Sequence, residues 1–81
     1  MNNKNQEQIK KSRIIEPEFQ AILQLYETRT DLHMSQKELA EKSGVRQSNI
    51  SRIERGTCSP TIRTLSELAY AMGKKLEIKI K

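Results

Sequence analysis

Residues 44 to 56, GVRQSNISRIERG, gather side chains that can bind a ligand through hydrogen bonds and charge. In a helix, successive residues are separated by about 100°. Five polar side chains of this stretch would then fall within an arc of roughly 140°: Gln47, Ser48, Ser51, Arg52 and Arg55. Ile50 and Ile53 would lie together on another side. One face of such a helix packs, and the other presents hydrogen-bond donors and acceptors.

The composition limits what such a face can bind. The 81 residues carry a formal net charge of +5 and a sequence pI of about 9.6, which favours an anionic partner such as nucleic acid or an acidic protein surface. The length allows one domain with a small core. The sequence has no secretory signal, and no apolar run approaches the roughly 20 residues of a membrane span. We therefore expect a cytoplasmic protein without a membrane partner.

Residue types for catalysis or metal binding are scarce. The chain has one His, one Cys and three Gly, with no phosphate-binding glycine loop and no His or Cys spacing typical of zinc. His33 stands in a polar connector without a companion ligand, and Cys58 is expected to be an unreactive thiol. The sequence therefore predicts a protein that is not an enzyme and has no catalytic residue, metal or cofactor.

A first helix is predicted over residues 17–30. Pro17 suits the first turn of a helix, where its missing N–H group would have no intrahelical partner. Four apolar residues follow at helical spacing: Phe19, Ile22, Leu23 and Tyr26.

Three further helices have their own end signals. The second opens at Ser35, which together with Glu38 forms a capping-box pattern, and ends at Gly44. The polar-faced stretch described above is the third. A fourth begins at Pro60 and closes at Gly73. Its apolar residues share an arc of about 120°: Ile62, Leu65, Leu68, Ala69 and Met72.

The two ends of the chain depart from this pattern, which leaves residues 14–73 as the predicted helical domain. Residues 1–13 are rich in Asn, Gln and Lys and predict a flexible polar arm, either a solvated tail or an arm that binds a DNA minor groove or a partner. In residues 74–81, apolar and charged side chains alternate as in a half-buried strand. No second strand is found, so this strand is expected to pair with its twin in a dimer or with another protein.

Two short helices joined by a tight glycine turn, the second with an exposed polar face, form a helix-turn-helix. The stretch SQKELAEKSGVRQSNISRIERGTCSPTIRTLSELAYAMG resembles the XRE-type helix-turn-helix family of lambdoid phage repressors and Cro proteins. The resemblance covers about residues 17–73 and joins SQxELAxxSGV, ISRIERG and PTIRTL in order. It implies an all-α, lambda repressor-like DNA-binding domain of four main helices, here followed by the short C-terminal β-strand.

The resemblance implies that the third helix lies in the major groove of DNA with its N-terminal side chains on base edges. Gln47, Ser48 and Arg52 match the base-reading positions, and Arg46 and Ser51 are second choices. A Gln amide can pair with adenine, and an Arg guanidinium can pair with guanine. Contacts to DNA phosphates are implied for a further set of side chains: Gln36, Arg55, Thr57, Ser59 and Thr61.

The resemblance also implies a partly buried ion pair between Arg29 and Glu54 that holds the third helix, with two solvated charges as the alternative. Domains of this family generally bind palindromic operators as homodimers, with half-sites about 34 Å apart or a multiple of that. Dimerisation is expected through the fourth helix and the apolar residues of the strand: Leu76, Ile78 and Ile80. The phage members usually continue with a fifth helix, so a phage-type dimer is in doubt for this chain.

A DNA-binding domain with a polar N-terminal extension and a terminal strand is most like the HigA-type antitoxins within this family. Those proteins bind a small toxin and repress their own operon. One alternative is a stand-alone phage or chromosomal regulator without a toxin partner. An alternative of another class is a protein-interaction module that has lost DNA binding.

Overall fold

Four helices joined by short connections make up the described part of the chain. A computed structural model describes residues 16–81. The helices are α1 (Glu16–Asp31), α2 (Gln36–Ser43), α3 (Gln47–Glu54) and α4 (Ile62–Ala71). α2 packs against both α3 and α4, and α1 packs against α3. The predicted all-helical architecture is confirmed, whereas the predicted arm of residues 1–13 lies outside the described residues.

The capping box at the start of α2 is confirmed. The Ser35 hydroxyl oxygen accepts a hydrogen bond from the Glu38 backbone N–H at 3.0 Å, and the Glu38 carboxylate accepts one from the Ser35 backbone N–H at 2.8 Å. At the other end, Gly44 has a φ of 81° and its N–H donates to the carbonyl of Ala40 at 2.9 Å. This left-handed turn lets α3 begin four residues after α2 ends.

The core lies where α2, α3 and α4 meet. Its fully buried side chains are Leu39, Ile50, Ile53 and Leu68. Ile22 and Leu25 of α1 close it on the remaining side. Burying a side chain of this size contributes about 1.5–3 kcal/mol relative to leaving it in water. The two isoleucines therefore anchor α3 in the core, as their spacing predicts, and the polar face of α3 is exposed to solvent.

Of the four apolar residues whose spacing predicts α1, only Ile22 is buried, and Leu25 is buried beside it. The other three are exposed: Phe19, Leu23 and Tyr26, at 48, 37 and 45%. α1 carries two apolar stripes: Ile22, Leu25 and Arg29 lie within an arc of about 60°, and this stripe packs on α3. Periodicity alone does not distinguish the two stripes.

The start of α4 also differs from the prediction. Thr61, not Pro60, precedes the first helical residue, and its hydroxyl oxygen accepts a hydrogen bond from the Thr64 backbone N–H at 3.0 Å. Ile62 is 62% exposed because it lies in the first turn, on the rim of a groove beside α1. Leu65 is half-buried, and Leu68, Ala69 and Met72 are buried as expected.

The predicted terminal strand is wrong for a single copy of the chain. Residues 74–81 form neither helix nor strand, and within residues 16–81 no backbone hydrogen bond involves positions 75–81. A strand exists only when its backbone is paired, and the described residues offer no second strand. Leu76 is half-buried, whereas Ile78 is 56% and Ile80 is 95% exposed.

Replacing His33 by glycine is expected to stabilise the fold by about 0.5–1 kcal/mol. His33 follows α1 with a φ of 56°, a left-handed conformation in which a side chain is strained. Its N–H donates to the carbonyl of Thr30, and that of Met34 donates to the carbonyl of Arg29, as in a Schellman motif. Glycine adopts this conformation without strain, so the midpoint of urea unfolding should rise.

Asp31→Gly is the matched control for this prediction, because Asp31 is exposed and is the last helical residue of α1. Glycine at a helical position is expected to cost about 0.5–1 kcal/mol. The two glycine variants should therefore shift stability in opposite directions. A decrease in stability for His33→Gly would contradict this account of the turn.

Candidate nucleic-acid interface

The side chains predicted to read bases lie on the outer face of α3. Gln47, Ser48 and Arg52 are exposed, Ser51 is half-buried, and Arg46 is exposed at the residue before the helix. Because Ile50 and Ile53 occupy the opposite side in the core, the four polar residues of α3 among them share one surface. Their hydrogen-bonding groups are accessible to a ligand that approaches the helix from outside.

The charge of this surface is positive. Residues 44–59 contain three arginines and one carboxylate, that of Glu54. Glu54 is paired with Arg29 of α1. Within residues 16–81, none of Arg46, Arg52 and Arg55 lies within 4.0 Å of a carboxylate. Three guanidinium groups without a carboxylate partner in residues 16–81 therefore lie on α3 and at its two ends. Their positive charge favours an anionic ligand.

Arg29 and Glu54 join the last turns of α1 and α3. Nε of Arg29 donates to Oε2 of Glu54 at 2.7 Å, and Nη2 donates to Oε1 at 2.8 Å, a bidentate pair. The two side chains are only 11 and 5% exposed. The geometry fixes the end of α3 against α1 and thereby limits how far the polar face can rotate.

Arg29 is held by two further groups. Its Nη1 donates to the carbonyl of Met34 at 2.8 Å, which ties the connection after α1 to the pair. Its guanidinium carbon lies 5.4 Å from the centroid of the Tyr26 ring, within cation–π range. The hydrogen bonds to Glu54 raise the pKa of Arg29 above its usual value and outweigh the effect of burial. Arg29 therefore stays cationic.

Gln36 has a contact that the sequence reasoning missed. Its Nε2 donates to Oε1 of Glu54 at 2.9 Å, so the first residue of α2 is bonded to the last residue of α3. Gln36 was expected to bind a phosphate. The structure gives it a place in a three-residue network with Arg29 and Glu54, and one N–H of its amide is left for another acceptor. The capping-box pattern of Ser35 and Glu38, which flank Gln36 in the sequence, does not indicate this bond.

The other residues expected at phosphates lie in and around the connection between α3 and α4. Arg55 and Ser59 are exposed. The Thr57 hydroxyl donates to the carbonyl of Arg52 at 3.1 Å, and the Thr61 hydroxyl caps α4. All four therefore lie between the end of α3 and the start of α4, with local bonds at two of them.

A second contact outside the predicted site stabilises this connection. The Cys58 thiol lies 3.8 Å from the Asn49 side-chain carbonyl oxygen, within hydrogen-bond range for sulfur. Both residues are half-buried, and Cys58 packs against the core. This placement gives Cys58 a packing role next to α3.

The residues predicted for dimerisation lie away from α3. Leu76 and Ile78 line a groove of about 910 Å³ whose other walls belong to α1 and α4. No residue of α3 lines this groove, and Ile80, which does not line it either, is 95% exposed. The polar face of α3 and the terminal segment are thus separate surfaces.

A short helix, a tight glycine turn and a second helix with an exposed polar face define a helix-turn-helix domain. Residues 25–79 match the helix-turn-helix family model. An uncharacterized HTH-type transcriptional regulator of Haemophilus influenzae is 39% identical over 74 residues, which are 91% of this chain and 72% of that protein. The chain therefore belongs to the helix-turn-helix family, and the predicted family resemblance is confirmed.

Two further similarities concern a longer protein and a solved structure. The HTH-type transcriptional regulator y4dL of Sinorhizobium fredii is 47% identical over 49 residues, which are 60% of this chain and 25% of that relative. This chain thus spans about a quarter of that protein. A chain of a toxin-antitoxin module from Streptococcus pneumoniae is 30% identical with a TM-score of 0.67, and the match covers 99% of this chain and 93% of that one.

Residues 16–81 do not meet the structural requirements of a membrane span or of a metal site. None of the four helices is long and apolar enough to cross a bilayer. In the same part of the chain, no three His, Cys, Asp or Glu side chains come together in an arrangement that could hold a metal ion.

Proposed function

We propose that this chain is a sequence-specific DNA-binding transcriptional regulator, acting as a homodimeric repressor on a palindromic operator. The observation that carries the proposal is the outer face of α3. Exposed Gln and Ser side chains lie there next to three arginines that have no carboxylate partner within residues 16–81. The membership of the chain in the helix-turn-helix family supports it. The network of Arg29, Glu54 and Gln36 holds that face rigid, which base recognition requires.

In this proposal the N-terminal half of α3 enters the major groove. Gln47 and Arg52 supply the bidentate contacts, with adenine and guanine as the matching bases. Ser48 accepts or donates and tolerates several bases, while Arg46 and Ser51 reach bases or phosphates at the edge. Each good bidentate contact discriminates against a wrong base pair by about 1–3 kcal/mol.

Phosphates on either side of the groove are bound by groups that carry no sequence information. Gln36 uses the amide N–H that is not bonded to Glu54, aided by the positive N-terminal end of α2. Arg55 supplies charge after α3. Thr57, Ser59 and Thr61 supply hydroxyl groups or backbone N–H groups near the same strand. These contacts set the register of α3 on the duplex.

We further propose an antitoxin role, in which a small toxin protein binds this regulator. The likeness to a chain of a toxin-antitoxin module supports this role, and so does the outer face of α1. That face exposes Phe19, Leu23 and Tyr26 beside the carboxylates of Glu27 and Asp31, a combination that suits a basic protein partner. Copurification with the product of an adjacent gene would separate this role from a stand-alone regulator.

The DNA-binding proposal is tested by selecting binding sites from a random duplex library with the purified chain. The expected product is an inverted repeat whose half-site centres are about 10 base pairs, or a multiple of that, apart. Gln47→Ala should change the preferred bases at one position in each half-site. Failure to enrich any sequence, with no binding to DNA at low salt, would favour a protein-interaction module instead.

A further inference from the structure

The C-terminal segment, defined as residues 74–81, combines two features that favour pairing with another strand. Its backbone N–H and C=O groups from position 75 onward have no backbone partner within residues 16–81. Its apolar side chains Ile78 and Ile80 are 56 and 95% exposed. The alternation of Leu76, Ile78 and Ile80 with Glu77, Lys79 and Lys81 is that of a strand with one apolar face.

We propose that the occupant of this edge is the C-terminal segment of a second copy, paired antiparallel about a two-fold axis through Ile78. The inference deepens the homodimer of the proposed function and rests on it. In this register Leu76 lies opposite the partner's Ile80, and Ile78 lies opposite the partner's Ile78. Glu77 lies opposite the partner's Lys79, so both copies of that pair match opposite charges.

Charge and burial together favour this register over its neighbours. An axis through Glu77 would place Glu77 opposite the partner's Glu77. An axis through Lys79 would also pair Glu77 with a lysine, the partner's Lys81, but it would place two lysines opposite each other at the centre of the ladder. An axis between two residues would place apolar side chains opposite charged ones and mix the two faces of the ribbon. With the axis at Ile78, the like-charged pair is Lys75 opposite the partner's Lys81, at the solvated ends of the ladder.

The groove next to the C-terminal segment gives the paired strands an apolar surface to cover. A two-stranded ribbon by itself is at best marginally stable in water. Leu76 and Ile78 already form one wall of the groove, and Leu25, Ile62 and Met72 belong to the opposite walls. Because the partner's Ile80 lies opposite Leu76, it extends this apolar surface. No residue of α3 lines the groove, so the pairing leaves both DNA-reading faces free.

Disulfide trapping of the full chain in a Cys58→Ser background tests this register. Directly opposite residues have Cβ atoms about 4.5–5.5 Å apart, whereas diagonal neighbours are about 7–8 Å apart, beyond the reach of a relaxed disulfide. Ile78→Cys should therefore give a covalent dimer under mild oxidation. Glu77→Cys and Lys79→Cys should each give little alone but cross-link when mixed. Tyr70→Cys, exposed on α4, controls for random collision.

Other outcomes distinguish a wrong register from a dimer that forms through another surface and from a monomer. Cross-linking of Lys79→Cys with itself, at the expense of Ile78→Cys, would overturn the register. A dimer seen by analytical ultracentrifugation in which neither Ile78→Cys nor the mixture cross-links would overturn the strand pairing and leave the homodimer standing. A monomer at micromolar concentration, also in the presence of operator DNA, would overturn the homodimer as well.

Charge exchange gives an independent readout on the same pair. Glu77→Lys should raise the dimer dissociation constant by roughly tenfold, because two opposite-charge pairs become like-charge pairs. The double variant Glu77→Lys with Lys79→Glu should restore it, since each lysine again faces a carboxylate. If the double variant has a dimer dissociation constant as high as that of Glu77→Lys alone, the pairing of Glu77 with the partner's Lys79 is wrong.

Discussion

Replacing Glu54 by alanine is expected to lower the free energy of unfolding by about 3 kcal/mol, at the low end of the range for breaking a buried ion pair. Glu54 accepts three hydrogen bonds, two from Arg29 and one from Gln36. Its removal leaves the Arg29 guanidinium, which is 11% exposed, without its carboxylate. Small domains have only about 5–15 kcal/mol of stability, so the loss is a large fraction of the total.

Urea unfolding of matched variants measures this effect. Glu67→Ala is the control, because Glu67 pairs with Arg63 at 3.6 Å with both side chains well exposed, and such pairs contribute about 0–1 kcal/mol. The double variant Arg29→Met with Glu54→Leu should recover most of the loss, since no unpaired charge remains. A loss below 1 kcal/mol for Glu54→Ala would contradict a structural role for the network.

Replacing Arg52 by alanine is expected to weaken operator binding by at least about thirtyfold. A bidentate base contact discriminates by about 1–3 kcal/mol, and a symmetric dimer loses the contact in both half-sites. The fold should change little, because the Arg52 side chain is exposed and has no carboxylate partner within residues 16–81. Fluorescence anisotropy on the selected operator measures the affinity, and circular dichroism checks the fold.

The control for Arg52 is an arginine away from the reading face. Arg63 lies in the first turn of α4 with its side chain 88% exposed, so Arg63→Ala removes the same charge without removing a base contact. It should change operator affinity far less. An equal loss for Arg52→Ala on operator and on scrambled DNA would mean that Arg52 binds phosphate and does not read a base.

The parts of the fold that depend on neighbouring residues were predictable from sequence. The Ser35 and Glu38 capping box is a pattern three residues apart, and Gly44 marks the turn it closes. Ile50 and Ile53 identify the buried side of α3 because the helix has only those two large apolar residues. The same spacing defines the polar face, so the candidate site could be located before its surroundings were known.

The parts that depend on distant residues were not predictable in this way. α1 has two apolar stripes, and only packing against α3 selects Ile22 and Leu25 over Phe19 and Tyr26. The bond from Gln36 to Glu54 joins residues 18 apart in the chain. The alternation in residues 74–81 predicts a strand, yet a strand requires a partner, and residues 16–81 of one copy contain none.

The central claim is that α3 reads DNA, and the most direct measurement is anisotropy of the purified chain on DNA from just upstream of its own gene. Binding is measured at two salt concentrations, beside a scrambled duplex of equal length. The account predicts tight binding to the upstream DNA that weakens steeply as salt rises, because bound phosphates release counterions, and much weaker binding to the scrambled duplex. Equal binding to both duplexes, or no binding to either, would contradict it.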